Sequence, residues 1–331
     1  MSFEPVDSSL FFSRSDARDP RLGELAKALP AMKSADALTD TLKEIVQTSA
    51  KTTRHYVLAG YPDDEGIRTN GGRLGAHQAP DEVRRPLYKM TPSVLKAGPP
   101  DLNIWDLGNL TSSTELRSRH EAAAGFALAT LSSGVTWLSI GGGHDYGFPD
   151  ASAFIDWCRT QKQRPLILNF DAHLDVRDTE RGISSGTPFY RMLEKSAELD
   201  FAEIGIQAHC NSRSHFEWAK SKGARILTQE EVEASGETFA TMVLRTLGDW
   251  VLRRRPVFLS IDIDGFSSAV APGCSQSWAT GFTPQDFFPL LSILRSRLDV
   301  KALGIYEVSP PLDQDHRTSK LAAQIIHRVI S

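Results

Sequence analysis

The chain has 331 residues, with 37 lysines and arginines against 41 aspartates and glutamates and a formal net charge of −4. So mild an acidic balance excludes a protein that holds nucleic acid or an anionic membrane by bulk charge, and no apolar run reaches the ~18 residues of a membrane helix. The length allows a sizeable core. The three cysteines, Cys158, Cys210 and Cys274, form no CxxC pair, and the N-terminus lacks the basic and apolar regions of a secretion signal, so a soluble protein of a reducing, cytoplasmic compartment is expected.

Apolar residues at helical spacing predict helices over 22–30 and 37–48, the second capped by Ser34 or Asp36, and residues 1–50 read as an N-terminal helical extension. His55 to Gly60 predicts the first strand. The stretch 61–76 that follows is rich in glycine and too long for an ordinary connection, which marks a functional loop. Arg68 and Arg73 within it are candidates for holding a substrate carboxylate. Pro80 opens a helix near 80–85. Residues 102–108 read as strand or turn, with Asp106 as a turn or capping carboxylate. An Ala-rich amphipathic helix covers 115–131.

Residues 135–140 are a strand pattern that runs into Gly141-Gly142-Gly143-His144-Asp145, and a helix follows over about 151–163. Residues 165–170 are a short apolar run, the pattern of a strand buried on both faces. That run leads into Asp171, Ala172, His173, Leu174 and Asp175. Alternate residues of an extended segment point the same way, so Asp171, His173 and Asp175 converge. A second flexible loop over 177–189 precedes a helix from about 188 to 197. Strands follow over 201–206 and 224–227. His209 and His215 lie beyond the first of these, and helix-face or hydrogen-bonded roles are preferred to metal ligation for both. Thr228 to Glu231 is a capping box, and a further helix runs toward Arg254. The strand at 257–261 leads into Asp262 and Asp264. Thr283-Pro284 starts another helix, the strand at 302–307 ends in Glu307, and a helix over 318–330 closes the chain.

Strands alternate with helices at least seven times. This pattern predicts one three-layer α/β/α domain over residues 1–331, built on a central, mostly parallel sheet. Three of the predicted strands end in metal-competent side chains: His144, then Asp171, His173 and Asp175, then Asp262 and Asp264. Strand C-termini are where open α/β sheets place their sites. Mixed Asp/His donors suit Mn²⁺, Zn²⁺, Fe²⁺ or Co²⁺, and the excess of carboxylate favours Mn²⁺. Six donors are too many for one ion with an open position and suit two ions ~3.5–4 Å apart. Such a pair lowers the pKa of a shared water, which points to metal-assisted hydrolysis at carbon or phosphorus.

Gly142-Gly143-His144-Asp145, Asp171-Ala172-His173-Leu174-Asp175 and Ser260-Ile261-Asp262-Ile263-Asp264, in this order, resemble the three metal motifs of the arginase/agmatinase/formimidoylglutamase superfamily, the ureohydrolases. The resemblance covers roughly 55–330. It implies an arginase-like fold and a pair of Mn²⁺ ions, one held by His144, Asp171, Asp175 and Asp262, the other by Asp171, His173, Asp262 and Asp264. For Glu307 it implies a contact with the substrate's amidinium or guanidinium group. Three segments are most similar to formimidoylglutamases: Asp64-Glu65-Gly66 through Asn70 to Arg73, Ser185 through Phe189, and Asp313 through Arg317-Thr318. Arginases and agmatinases usually carry Asp-Pro where this chain has Ser267 and Ser268. Arginases also carry a proton-shuttling histidine where it has Ser184 or Ser185.

The implied reaction is hydrolysis of N-formimino-L-glutamate to L-glutamate and formamide, a step of histidine degradation. Arg73 is the first candidate for the substrate carboxylates, with Asn70, Arg68 and Arg317 beside it. Water, Asp145 or Ser185 would supply the proton. The alternatives are a urea-releasing hydrolase of another guanidino compound and a non-catalytic arginase-like binding protein. Family members often form trimers or hexamers, so a homo-oligomer is expected.

Overall fold

A computed structural model describes residues 1–92, 101–111 and 115–331. Ten strands form one sheet: β1 (Phe3–Glu4), β2 (Ala26–Ala28), β3 (Arg54–Gly60), β4 (Leu102–Leu110), β5 (Thr136–Ile140), β6 (Leu166–Phe170), β7 (Asp200–Ile206), β8 (Arg225–Thr228), β9 (Pro256–Asp262) and β10 (Asp299–Tyr306). The helices are α1 (Leu22–Leu25), α2 (Ala35–Thr48), α3 (Glu65–Thr69), α4 (Ala79–Lys89), α5 (Leu116–Ser132), α6 (Gly147–Thr160), α7 (Pro188–Lys195), α8 (Arg213–Ser221), α9 (Gln229–Ser235), α10 (Phe239–Leu247), α11 (Pro284–Arg297) and α12 (Arg317–Ile330).

The strand order is β1-β4-β3-β5-β10-β9-β6-β7-β8, with β2 also paired to β4, and every pairing except β1–β4 is parallel. Alternate side chains of each strand feed two cores. On β9, Val257, Leu259 and Ile261 face one core, which includes residues of α4, α10, α11 and α12. Phe258 faces the other, which includes residues of α2, α5, α6 and α7. Both faces of the sheet are therefore covered by helices, as the uninterrupted apolar strands require.

One feature of this topology positions the site. The chain lays down β5, crosses to β6, and later inserts β9 and β10 between them. Four adjacent parallel strands, β5-β10-β9-β6, thus end at one edge, where open α/β sheets bind ligands. The N-terminal region differs from expectation. The helix expected over 22–30 is only the four residues of α1, and the chain then turns into β2 and joins the edge of β4. Residues 1–50 therefore add strands as well as helices. Asp106 differs too: it lies inside β4, buried, where Arg84 Nε and Nη2 donate to it at 2.8 and 2.9 Å and Tyr88 adds a third, short bond. It serves as the counter-ion of a fully buried arginine and also accepts from the Gly108 N–H at 2.8 Å, so the expected turn-capping bond is present beside the ion pair.

Candidate metal centre

The C-terminal ends of the four central strands deliver one donor set. His144 follows β5, Asp171, His173 and Asp175 follow β6, Asp262 ends β9 with Asp264 two residues on, and Glu307 follows β10. Gly142 lets the turn after β5 approach the loop after β3: a Cβ there would stand 1.5 Å from the Asp63 carbonyl oxygen. Asp175 and Glu307 have φ of +49° and +64°, in the left-handed region. Side chains rarely adopt it, so the surrounding structure holds both against strain on the order of 1–2 kcal/mol each.

The six predicted ligands fall into two groups that share Asp171. His144, Asp171, Asp175 and Asp262 form one, and Asp171, His173 and Asp264 the other; within each, donor atoms lie within 4.8 Å of one another. Asp262, expected in both sets, stands in the first. Asp171 divides its oxygens between the groups: Oδ2 lies 3.1 Å from His144 Nδ1, and Oδ1 lies 3.6 Å from His173 Nδ1. His144 Nδ1 is buried and also faces Asp175 at 3.0 Å and Asp262 at 3.2 Å, yet makes no hydrogen bond. A nitrogen aimed between three carboxylate oxygens in this way could serve as a metal donor.

The residues behind the ligands fix their orientation. His144 Nε2 lies 2.9 Å from Ser260 Oγ, and with the proton assigned to Nε2 as donor, Nδ1 is free to ligate. The imidazole stacks on Tyr306 at 4.8 Å. The Tyr306 hydroxyl donates to Asp150 at 2.6 Å, which also accepts from Tyr61, Trp137 and Ser139. Behind Asp171, Asn169 Nδ2 donates to Asp171 Oδ2 at 3.2 Å and to the buried Glu203 at 2.8 Å.

The electrostatics ask for positive charge. Burial opposes protonation of both imidazoles, but the neighbouring carboxylates prevail and hold His144 and His173 well above the ordinary range. Burial and repulsion push Asp262, Asp264 and Glu307 up, and burial together with Asp171 pushes Asp175 up to about 6. Asp171 goes down, because His144 and His173 outweigh its burial. Carboxylates and imidazoles raised together mark a cluster short of cations. Four aspartates against two neutral imidazoles are balanced by two divalent cations, so the residues present fit a binuclear centre.

The centre opens into a cavity of about 240 Å³ whose lining includes His173, Asp175, Asp262, Asp264 and Glu307. Glu307 Oε1 accepts from the backbone N–H of His144 at 3.0 Å. The lining also includes the exposed Asn70 and Arg177, the half-buried His215 and the buried Ser185. Asn70 joins the two loops: its Nδ2 donates to Ser185 Oγ at 3.1 Å and its Oδ1 accepts from Arg177 Nη1 at 2.9 Å.

A profile described as the arginase family matches residues 54–331. This chain belongs to the arginase family. A formimidoylglutamase of Rhodococcus opacus is 32% identical, covering 83% of this chain and 85% of the relative, and one of Aeromonas hydrophila is 30% identical over 99% of both. Among solved structures, the formiminoglutamase of Trypanosoma cruzi with Mn²⁺ superposes with a TM-score of 0.76 at 25% identity, covering 94% of this chain and 97% of that one. The mostly parallel sheet covered by helices is the fold of this family.

Several residues expected in the site of this arginase-family chain are not brought to the cavity. Arg73 Nε and Nη2 donate to the backbone carbonyls of Ser275 and Cys274, at 2.9 and 3.0 Å, and its side chain does not line the cavity. Arg68 is exposed, 4.0 Å from Asp64, and the Arg317 side chain donates to the Ala269 carbonyl at 3.4 Å. Asp145 lies behind the ligands, where it accepts from His120 Nε2 at 2.8 Å. Asp313 caps α12, accepting from the backbone N–H groups of Thr318 and Ser319, so this formimidoylglutamase-like segment is a helix start. His209 packs edge-on against Trp278. Arg177 is the residue that sequence reasoning missed. It lies two residues past Asp175, whose left-handed φ ends any extended alternation, so no local signal in the sequence marked it.

Proposed function

We propose that this chain is a binuclear manganese hydrolase that cleaves N-formimino-L-glutamate to L-glutamate and formamide. The observation that carries this reading is the polarity of the cavity. With the aspartates neutralised by the two ions, Glu307 is the uncompensated acidic side chain of its lining, and Arg177 is the one arginine or lysine lining it among the described residues. A substrate with a cationic amidinium at one end and carboxylates at the other matches that pairing. The curated relatives named formimidoylglutamase support the substrate, and the manganese of the Trypanosoma cruzi structure supports the metal.

His144, Asp171, Asp175 and Asp262 would hold one ion and Asp171, His173 and Asp264 the other. When bound, the pair supplies a deprotonated water near neutral pH and stabilises negative charge at the reacting centre. Glu307, fixed through one oxygen by the His144 N–H, offers its other oxygen to an amidinium N–H in a charge-assisted hydrogen bond. Arg177 takes a substrate carboxylate, positioned by Asn70. Ser185 lines the cavity and stands with water as donor of the proton to the departing amine; Asp145 orients the turn that carries His144.

The continuous sheet supports reading residues 1–331 as one domain. No described helix is long and apolar enough to cross a membrane. The family resemblance supports a cytoplasmic enzyme and a trimer or hexamer. A substrate panel of N-formimino-L-glutamate, arginine and agmatine, scored separately for formamide, urea and ammonia, tests the reading. Formamide from the first substrate alone supports it; urea from either guanidino compound without formamide sinks the substrate assignment.

A further inference from the structure

The end of the sheet opposite the metal centre carries a second cavity, of about 850 Å³. It lies between the N-terminal ends of β3, β5 and β10 and the C-terminal turns of α2 and α11. Lys51, Arg54, Arg254, Arg295 and Lys301 line it, against one lining carboxylate, Asp299. That carboxylate is already held by Lys301 at 3.1 Å and approached by Arg254 at 3.9 Å. The imidazole of His55, also in the lining, is pushed down by burial although Asp101 lies near it. A strongly positive cavity thus sits in a chain whose net charge is −4.

Arg295 is the centre of the anomaly. Its side chain makes no hydrogen bond or ion pair among the described residues, and the remaining residues, 93–100 and 112–114, include no aspartate or glutamate. Burial opposes its charge. The Tyr56 hydroxyl favours it, and Arg54 and Arg328 repel it. Arg54 makes one hydrogen bond here, from Nη1 to Tyr56 Oη at 3.1 Å. Two guanidinium groups are therefore held near each other beside an open cavity, with most of their donors unused. Planar guanidinium forks match the paired oxygens of phosphate and carboxylate groups.

We infer that this cavity is a binding site for a small, doubly charged oxyanion, a phosphate or a dicarboxylate, gripped by Arg54 and Arg295. The site is remote from the metal centre and independent of the reaction proposed for it. The test is isothermal titration of the full-length, manganese-loaded protein with inorganic phosphate and, separately, with succinate. Saturable binding of at least one of them is expected, at one site per chain. It should weaken at least tenfold in Arg295→Gln and stay unchanged in Arg253→Gln, whose arginine lies outside this cavity. The anion that binds identifies the class.

Thermal unfolding gives a second readout. Without anion, Arg295→Gln should melt at or above the parent temperature, because it relieves repulsion. With anion, the melting temperature should rise in the parent and not in the variant. Absence of saturable binding for both anions would overturn the inference, as would binding that Arg295→Gln leaves unchanged, which places the anion elsewhere.

Discussion

Replacing Asp171 with asparagine should weaken both metal sites at once. Asp171 is fully buried. Its Oδ1 accepts from the His173 N–H at 2.7 Å, and its Oδ2 accepts from Asn169 while facing His144 Nδ1 at 3.1 Å. Asparagine keeps the volume and one acceptor but loses the charge that both groups share. Removing one partner of a buried, hydrogen-bonded charge pair costs ~2–5 kcal/mol, and every ~1.4 kcal/mol is tenfold in affinity. Each ion should therefore bind roughly 30- to 5,000-fold more weakly. Asp264→Asn should weaken one ion and Asp175→Asn the other. Equilibrium dialysis against manganese followed by elemental analysis reads both occupancies. The metal-free proteins should differ in sign. Asp171, held down by two imidazoles, stabilises the fold, so its replacement lowers the melting temperature. Asp175, pushed up to about 6, opposes folding when ionised, so its replacement raises the melting temperature near about pH 7. An Asp171→Asn protein that keeps one ion at parental affinity would refute the shared ligand.

The raised aspartates Asp175, Asp262 and Asp264 and the raised imidazoles His144 and His173 bind protons in the folded state that the unfolded chain releases. Calorimetry should therefore show the metal-free protein losing stability from about pH 4 to about pH 8, with Asp175, up from 3.8 to about 6, contributing on the order of 3 kcal/mol. Saturating manganese displaces those protons and should remove the slope; a metal-free melting temperature that climbs across this window contradicts the electrostatics. Glu307→Gln should keep both ions and lose ~2–4 kcal/mol of transition-state stabilisation in kcat/KM, and near-parental activity would remove Glu307 from amidine binding. Arg177→Ala should raise KM for N-formimino-L-glutamate with little change in kcat. Arg73→Ala, which frees two backbone carbonyls, should instead cost stability of ~1–3 kcal/mol, and the reverse pattern in steady-state kinetics would return the carboxylate role to Arg73.

The central strands and the clustering of the six candidate donors were legible because each depends on a local regularity. An apolar run of strand length ending in polar residues two apart specifies burial and side-chain direction together, and β6 with Asp171, His173 and Asp175 shows both. What was not legible depends on partners distant in sequence. β2 follows a short helical turn and exists because β4 offers it an edge. Asp106 finds Arg84 across the gap between a helix and a strand. Arg73 and Arg177 carry the same charge in loops of similar composition. Only folding decides that the first grips backbone carbonyls while the second stands over the cavity. The segment Asp313 to Thr318 looks functional by resemblance and proves to be a cap, because a carboxylate before a helix is used locally whether or not a site lies nearby.

The most direct measurement is a manganese titration of metal-free protein in the presence of N-formimino-L-glutamate, with formamide and glutamate counted at each addition. A binuclear formimino hydrolase releases the two products in equal amounts, and the rate rises until two equivalents of manganese per chain are bound. A rate that is complete at one equivalent contradicts the shared centre, and two bound ions without formamide contradict the reaction.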